Sequence, residues 1–279
     1  MNDQQNAAEI TLSRTLGLLD ITMIGIGAMI GAGIFVLIGI AAGHAGPVLA
    51  IAFLLNGIVT TFPALSYAEL GSCLPAAGAG YRWVKEGMGG TQGFLAGWMN
   101  WFAYIVACAL YALGFGRLAV ELWTLTGIQS PLSAHQLALV FMVFIIAIFA
   151  YINSRCASEA GLVGNVVTTA KVIILLIFIG FGLYAIAGNP DWTDNFSEGL
   201  LPNGIGGIFV AMGMTFIAFE GYEIIAQSGE EVKNPTRNIP RAIFYSIIVV
   251  VIIYVLIGFV VIGAVVPPPG MAVWDYLAQ

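Results

Sequence analysis

Four glycines fall within nine residues in the stretch Gly25-Ile26-Gly27-Ala28-Met29-Ile30-Gly31-Ala32-Gly33. The stretch sits in the middle of a long apolar segment, residues 18–42, and a segment of that length is read as a membrane-crossing helix. A continuous helix is poorly built this way, because each interior glycine costs about 1 kcal/mol relative to alanine. The glycines make sense if the helix opens near Gly31-Ala32-Gly33 and restarts at Ile34. Opening frees backbone N–H and C=O groups at mid-membrane, where no water satisfies them. The second half-helix then presents donors and a positive dipole end to a carboxylate, and the carbonyls of the first half face a cation. Close helix packing is the other account of the same glycines, since Gly27 and Gly31 have the small-xxx-small spacing.

The chain around this stretch is 59% hydrophobic and 9% charged, with a mean hydropathy of +0.95. Such a composition excludes a soluble domain and implies an all-α polytopic membrane protein. Seven apolar segments follow one another: residues 18–42, 47–71, 93–116, 134–152, 160–188, 203–226 and 242–266. Residues 1–17 form a polar leader without the basic region of a signal peptide, and 267–279 form a short tail after three prolines. With the N-terminus inside, Arg14, Arg82, Lys85, Arg155, Lys233, Arg237 and Arg241 are all cytoplasmic, and only Arg117 lies outside. That placement predicts a cytoplasmic N-terminus, an extracytoplasmic tail and residence in the plasma (inner) membrane. The outer loop 189–202 agrees, carrying Asp191, Asp194 and Glu198 and no Lys or Arg. Cys73, Cys108 and Cys156 lie far apart, with neither a disulfide nor a zinc pattern.

The sixth segment holds a second candidate break, Phe219-Glu220-Gly221-Tyr222-Glu223. A carboxylate at that depth costs roughly 2.5–3.5 kcal/mol to insert. Its functional reading is that Glu220 lines a cavity at the break, meeting a substrate ammonium or holding a proton. The alternative is a neutral Glu220 bonded to a neighbouring helix. Glu223, one turn nearer the cytoplasm, is expected in an inner vestibule, and Phe219 is a candidate gate. Paired interruptions in two halves of a chain are a pointer to a transporter's binding site.

Lys171 interrupts the fifth segment about 18 Å from either surface at 1.5 Å per residue, too deep for its stem to reach water. Gly161, Gly164, Asn165, Thr168 and Lys171 share one helix face, which must point into the bundle. Burial of an ammonium favours its neutral form, so Lys171 is a candidate proton-coupling residue. Its ammonium is also a candidate stand-in for a metal cation beside the carbonyls of a broken helix. A permanently paired structural lysine is the alternative. His44 and His135 fall at the outer edge. Glu69 ends the second segment at the inner face, where Arg14, Arg82 or Lys85 is expected to pair with it. Residues 77–90 read as a short in-plane amphipathic piece anchored by Tyr81 and Trp83. The charged, proline-rich loop 229–241 reads as a topology anchor that sets the start of the seventh segment.

Several of these motifs together resemble the amino acid–polyamine–organocation (APC) superfamily, in particular cationic-amino-acid-transporter-like and proton-coupled bacterial or archaeal permeases. The resemblance rests on residues 25–35, on Tyr67-Ala-Glu-Leu-Gly71 with Leu74-Pro-Ala-Ala-Gly78 and Tyr81, and on Gly93-Phe-Leu-Ala-Gly-Trp98. It continues through Ser228-Gly-Glu-Glu-Val-Lys-Asn-Pro235 and Ile239-Pro-Arg-Ala-Ile243, so that it covers the chain from about Leu12 onward. It implies a LeuT-like fold of two inverted five-helix repeats with the first and sixth helices unwound. It implies that backbone around Ile30, Gly31, Ala32 and Gly33 holds a substrate carboxylate, and that carbonyls near Phe219, with Glu220 and Gly221, hold the amino group. Lys171 matches the lysine that replaces a sodium site in proton-coupled members. Ala32 departs from the Ser or Thr of many relatives, which removes a hydroxyl contact, and Glu220 departs from an uncharged counterpart in some, which implies either a bias toward a cationic side chain or a group that only carries a proton. Members usually have twelve spans, so a seven-span chain is expected to be truncated, a fragment, or one part of a split protein with a missing C-terminal part or second chain.

These readings converge on a secondary active amino acid transporter working by proton symport, or the N-terminal portion of one, with two alternatives: an amino acid/polyamine exchanger, or a non-transporting membrane amino acid sensor or subunit. A small amino acid and the lipid bilayer are the expected partners, with no nucleic acid. No cofactor or metal is expected, the coupling ion being a proton. No enzyme is expected either, because the chain has no nucleophile–base pair, metal cluster or phosphate loop, and the glycines lack the strand–helix context of a dinucleotide fingerprint.

Overall fold

The computed structural model describes residues 14–154, 157–197 and 199–278, with side chains omitted from description over 157–163. Arg155, Cys156 and Glu198, which the sequence places in loops, lie outside the described residues, and of Gly161 only its place in a helix is described. The described chain is helical, with one isolated β-bridge between Leu16 and Val232. The helices are α1 (Leu18–Met29), α2 (Ala32–Ala45), α3 (Leu49–Cys73), α4 (Ala79–Met88), α5 (Gly90–Leu125), α6 (Ala134–Asn153), α7 (Ala157–Gly188), α8 (Asp194–Ser197), α9 (Gly204–Thr215), α10 (Glu223–Gln227), α11 (Pro235–Ala264) and α12 (Val273–Leu277). By length and apolarity, six helices among the described residues are able to cross a membrane, with α2 and α3 counted as one run.

That run is folded back on itself at Gly46–Val48, a single 3-10 turn opened by Gly46 at φ +63. The fold-back follows from the neighbours of each limb. Asn203 donates from the start of α9 to Gly43 O and His44 O at the end of α2, and Gly33, near the start of α2, lies against Ala218 beyond the other end of α9. The α3 limb instead runs alongside α9, with Asn56 donating to Met212 O at 2.9 Å. α3 is antiparallel to α11, since Ala50, Gly57 and Gly71 face Gly258, Val251 and Ile239 in turn. α1 is parallel to α11, with Gly25 opposite Ser246 and Met29 opposite Tyr254.

The core lies where these helices meet. Phe53, Phe219 and Tyr254 are fully buried there, with ring centroids 5.1–6.4 Å apart in tilted or edge-on pairs, the arrangement that aromatic quadrupoles favour. α5, α6 and the outer face of α7 carry most of the exposed large apolar side chains, among them Trp98, Phe144 and Phe181. Exposure of this kind is normal where lipid is the solvent. α5 runs beyond its apolar segment at both ends, because backbone hydrogen bonding continues through Arg117 and Glu121 after hydropathy has fallen.

Trp83 corrects a sequence reading. It is not an interfacial anchor: it is buried on α4, stacks edge-on against Tyr67 at 5.5 Å and donates its indole N–H to Leu74 O. Tyr81 does stay exposed. Glu69 corrects another. Arg82 pairs with Glu230 at 3.2 Å and with Glu86 at 3.5 Å, because the loop after α10 folds beneath α4, where Glu230 also accepts from Ala77 N. The same loop is tied to the N-terminal segment by Leu16 N to Glu231 O and Lys233 N to Leu16 O.

Candidate functional site

Two broken helices face each other at the centre of the bundle. α1 ends at Met29, Ile30 leaves helical geometry (φ −74, ψ 73), Gly31 is extended, and α2 begins at Ala32. The opening therefore lies at Ile30-Gly31, and the second half-helix restarts two residues earlier than the Ile34 expected from the glycine spacing. One extended glycine after an off-helix isoleucine is enough to shift the chain. Gly27 and Gly31 also serve close packing, so both accounts of the glycines hold. A Cβ on Gly27 would overlap Thr168 of α7, and one on Gly31 would lie 2.7 Å from the Tyr111 hydroxyl of α5.

The second break follows a 3-10 turn, Phe216–Phe219, after which Glu220 is extended and Gly221 takes φ +130. Gly221 is required twice over. Its φ is one that side-chain-bearing residues rarely adopt, and a Cβ there would lie 2.6 Å from the Ala28 carbonyl carbon and 2.7 Å from Met29 N.

The freed carbonyls of α1 are taken up by side chains from other helices. In an unbroken helix Gly27 O would accept the N–H of Gly31, which instead turns to Met29 O. Lys171 of α7 replaces it, donating to Gly27 O at 2.7 Å and to Ile30 O at 2.6 Å. Its ammonium meets neutral carbonyls and no carboxylate within ion-pair distance among the described residues. Met29 O is approached by the Tyr254 hydroxyl at 3.0 Å. At the second break Asn56 caps Met212 O and reaches Thr215 Oγ1, and Glu223 Oε2 accepts Gly221 N at 2.7 Å. Glu223 is thus a half-buried cap on the break rather than a free vestibule residue. Its other oxygen accepts from Tyr104, which in turn accepts from Gln227.

A cavity of about 380 Å³ opens between these breaks and α5, its wall including Ala28, Tyr104, Cys108, Tyr111, Ile217, Glu220 and Gly221. The structure brings Glu220 and Gly221 to this cavity. Glu220 is exposed to it, its carboxylate making no hydrogen bond or ion pair among the described residues, and no Lys, Arg or His lines it. Ile30, Gly31, Ala32 and Gly33 do not line it: Ile30 and Gly33 are buried, and the Tyr111 hydroxyl stands against Gly31. Phe219 does not line the cavity in this structure: its ring is buried in the core against Phe53 and Tyr254.

Sequence reading missed α5, Asn56 and Tyr254. The third segment offers no charged residue to mark a site, yet Asn100, Tyr104, Cys108 and Tyr111 recur at helical spacing along it and all reach the cavity wall. Asn56 and Tyr254 are isolated polar groups inside apolar runs, and in lipid such a group needs a partner.

A profile of the family described as amino acid permease matches residues 16–277. The chain belongs to that family. It is a family of transporters, and the chain is accordingly a multi-pass membrane protein with an all-α, APC-type fold. Among its relatives, the branched-chain amino acid permease BcaP of Bacillus subtilis is 32% identical over 269 residues, 93% of this chain and 57% of that protein. The methylthioribose transporter of the same organism is 32% identical over 263 residues, covering 91% and 56%. The vacuolar cationic amino acid transporter 2 of Arabidopsis thaliana is 30% identical over 263 residues, covering 91% and 41%. The chain thus spans between two-fifths and three-fifths of the length of these relatives, and their names cover three different kinds of substrate.

Proposed function

We propose that this chain carries the substrate-binding core of a proton-coupled amino acid transporter. The observation that carries the reading is the apposition of two helix breaks beside one cavity, with a lysine ammonium on the carbonyls that the first break frees. Glu220 receives the side-chain ammonium of a cationic substrate, and the amides at the start of α2 receive the carboxylate once the Tyr111 ring swings aside from Gly31. Lys171 holds the end of α1 most strongly while protonated, and its grip on Gly27 O and Ile30 O weakens when it loses its proton and the bonds are no longer charge-assisted, which links α1 to the proton gradient. The seven apolar segments cross the plasma membrane with α1 and α2 as one interrupted crossing, and the N-terminus is cytoplasmic. The cavity wall includes Tyr67, near the end of α3, and Asn100, near the start of α5, so in this orientation it faces the cytoplasm.

The test is uptake of radiolabelled leucine and lysine by the chain in liposomes, with and without an inward proton gradient. Uptake driven by the gradient, and loss of that dependence in Lys171→Ala, is the expected result. Unchanged gradient-driven uptake in Lys171→Ala would overturn the coupling role. Counterflow without gradient dependence would identify an exchanger, and binding without flux a sensor or subunit.

A further inference from the structure

We propose that Tyr254 is a positioning residue that holds the two helix breaks in register with each other. Its hydroxyl lies 3.0 Å from Met29 O, in the last turn of α1, and 3.1 Å from Ala218 O, in the 3-10 turn of the second break. A phenol has one proton to donate, so the two carbonyls share it. Met29 O also accepts the N–H of Gly31 at 2.7 Å in the tight turn that ends α1, and Ala218 O lies where the second helix leaves its ladder at the extended Glu220. Lys171 also caps α1, but it contacts only the first break. Asn56 and Glu223 contact only the second. Among the described residues Tyr254 is the side chain whose hydrogen bonds reach both. It is able to do so because α11 runs parallel to α1 and places a fully buried tyrosine between Phe53 and Phe219, where no water competes for the carbonyls.

The consequence is mechanical. An unwound segment has no ladder to fix its direction, so two facing breaks would drift independently. A shared donor from a third, continuous helix makes α1, the second break and α11 move as one body. Taking the breaks as the substrate site, as proposed above, Tyr254 keeps the site in one geometry without touching the cavity, whose wall does not include it.

The test compares hydrogen–deuterium exchange in the full chain and in Tyr254→Phe, in lipid nanodiscs, over peptides covering 26–34 and 216–224. Tyr254→Phe keeps the ring and removes only the oxygen. Exchange is expected to rise by about five- to tenfold in both peptides together, with α6 unchanged. A rise in one peptide alone, in neither, or uniformly along the chain would overturn the proposal. So would a Tyr254→Phe chain that does not fold, since the hydroxyl would then be supporting the whole bundle. Phe53→Leu is the control, because it disturbs the ring packing and keeps the hydroxyl. It is expected to lower the melting temperature without the paired rise, and a paired rise there would assign the effect to packing instead. The readout uses no substrate, so failure of the transport reading and failure of this one are separate results.

Discussion

A carbonyl freed inside a membrane has to find a donor, and at the end of α1 the donors are single side chains drawn from distant parts of the sequence. Lys171 is 144 positions from Gly27 and Tyr254 is 225 from Met29. Removing Lys171 leaves Gly27 O unpaired, which costs about 1–3 kcal/mol, whereas Met29 O keeps the N–H of Gly31 when Tyr254 is lost. The opposite case is Thr60. Its hydroxyl is fully buried on α3 and has no hydrogen-bond partner among the described residues. Thr60→Val keeps the shape and removes the unsatisfied group, so it is expected to raise the melting temperature in detergent, by an amount corresponding to about 1 kcal/mol. A lower melting temperature would mean that the hydroxyl does have a partner. Glu220 is the residue on which substrate choice is expected to turn. Glu220→Gln should weaken lysine binding by about tenfold or more, the value of one charge-assisted hydrogen bond. Comparison with norleucine, which lacks the side-chain ammonium, separates that effect from general damage to the cavity.

At the scale of the element, the second break depends on Gly221 for both its backbone and its neighbour. A residue with a side chain is strained at φ +130, and its Cβ would enter α1 at Ala28. Gly221→Ala is therefore expected to destabilise by roughly 2 kcal/mol or more and to weaken leucine and lysine binding. Normal stability with normal binding would show that the break is soft enough to re-form elsewhere. The break in the first helix is differently made. Gly31 is extended rather than left-handed, a conformation open to any residue, and its glycine is needed for the nearby Tyr111 hydroxyl. Gly31→Ala is expected to push Tyr111 aside, which changes ligand binding more than it changes the melting temperature.

At the scale of the molecule, three segments far apart in sequence are fastened at one end of the bundle. The N-terminal stretch pairs with the loop after α10 through Leu16, and α4 pairs with it through Arg82 and Glu230. The ion pair is half exposed, so its own coupling in a double-mutant cycle is expected to be below about 1 kcal/mol. Glu230→Ala should nevertheless cost more than Arg82→Ala, because Glu230 also accepts from the backbone of Ala77. Equal losses in thermal melts of the two variants would mean that the backbone contact contributes nothing.

The sequence by itself determined the class of the molecule and the existence of both breaks. Apolar runs long enough for a bilayer leave helices as the only economical structure. Glycines at Gly25–Gly33 and at Gly221, beside a carboxylate in an apolar run, mark where those helices cannot continue. Lys171 was legible for the same reason: a charge at that depth must have a partner. Which partner it has was decided only by tertiary structure, because Gly27 O and Ile30 O become acceptors only once α7 lies across the break. The place of Phe219 in the core was decided for a related reason, since the direction of a ring leaving a 3-10 turn is set by what packs around it, here Phe53 and Tyr254. The tyrosines of α5, Asn56 and Tyr254 carry no charge and so left only a faint mark on the sequence. Their roles arise from long-range neighbours, and the fold alone supplies those.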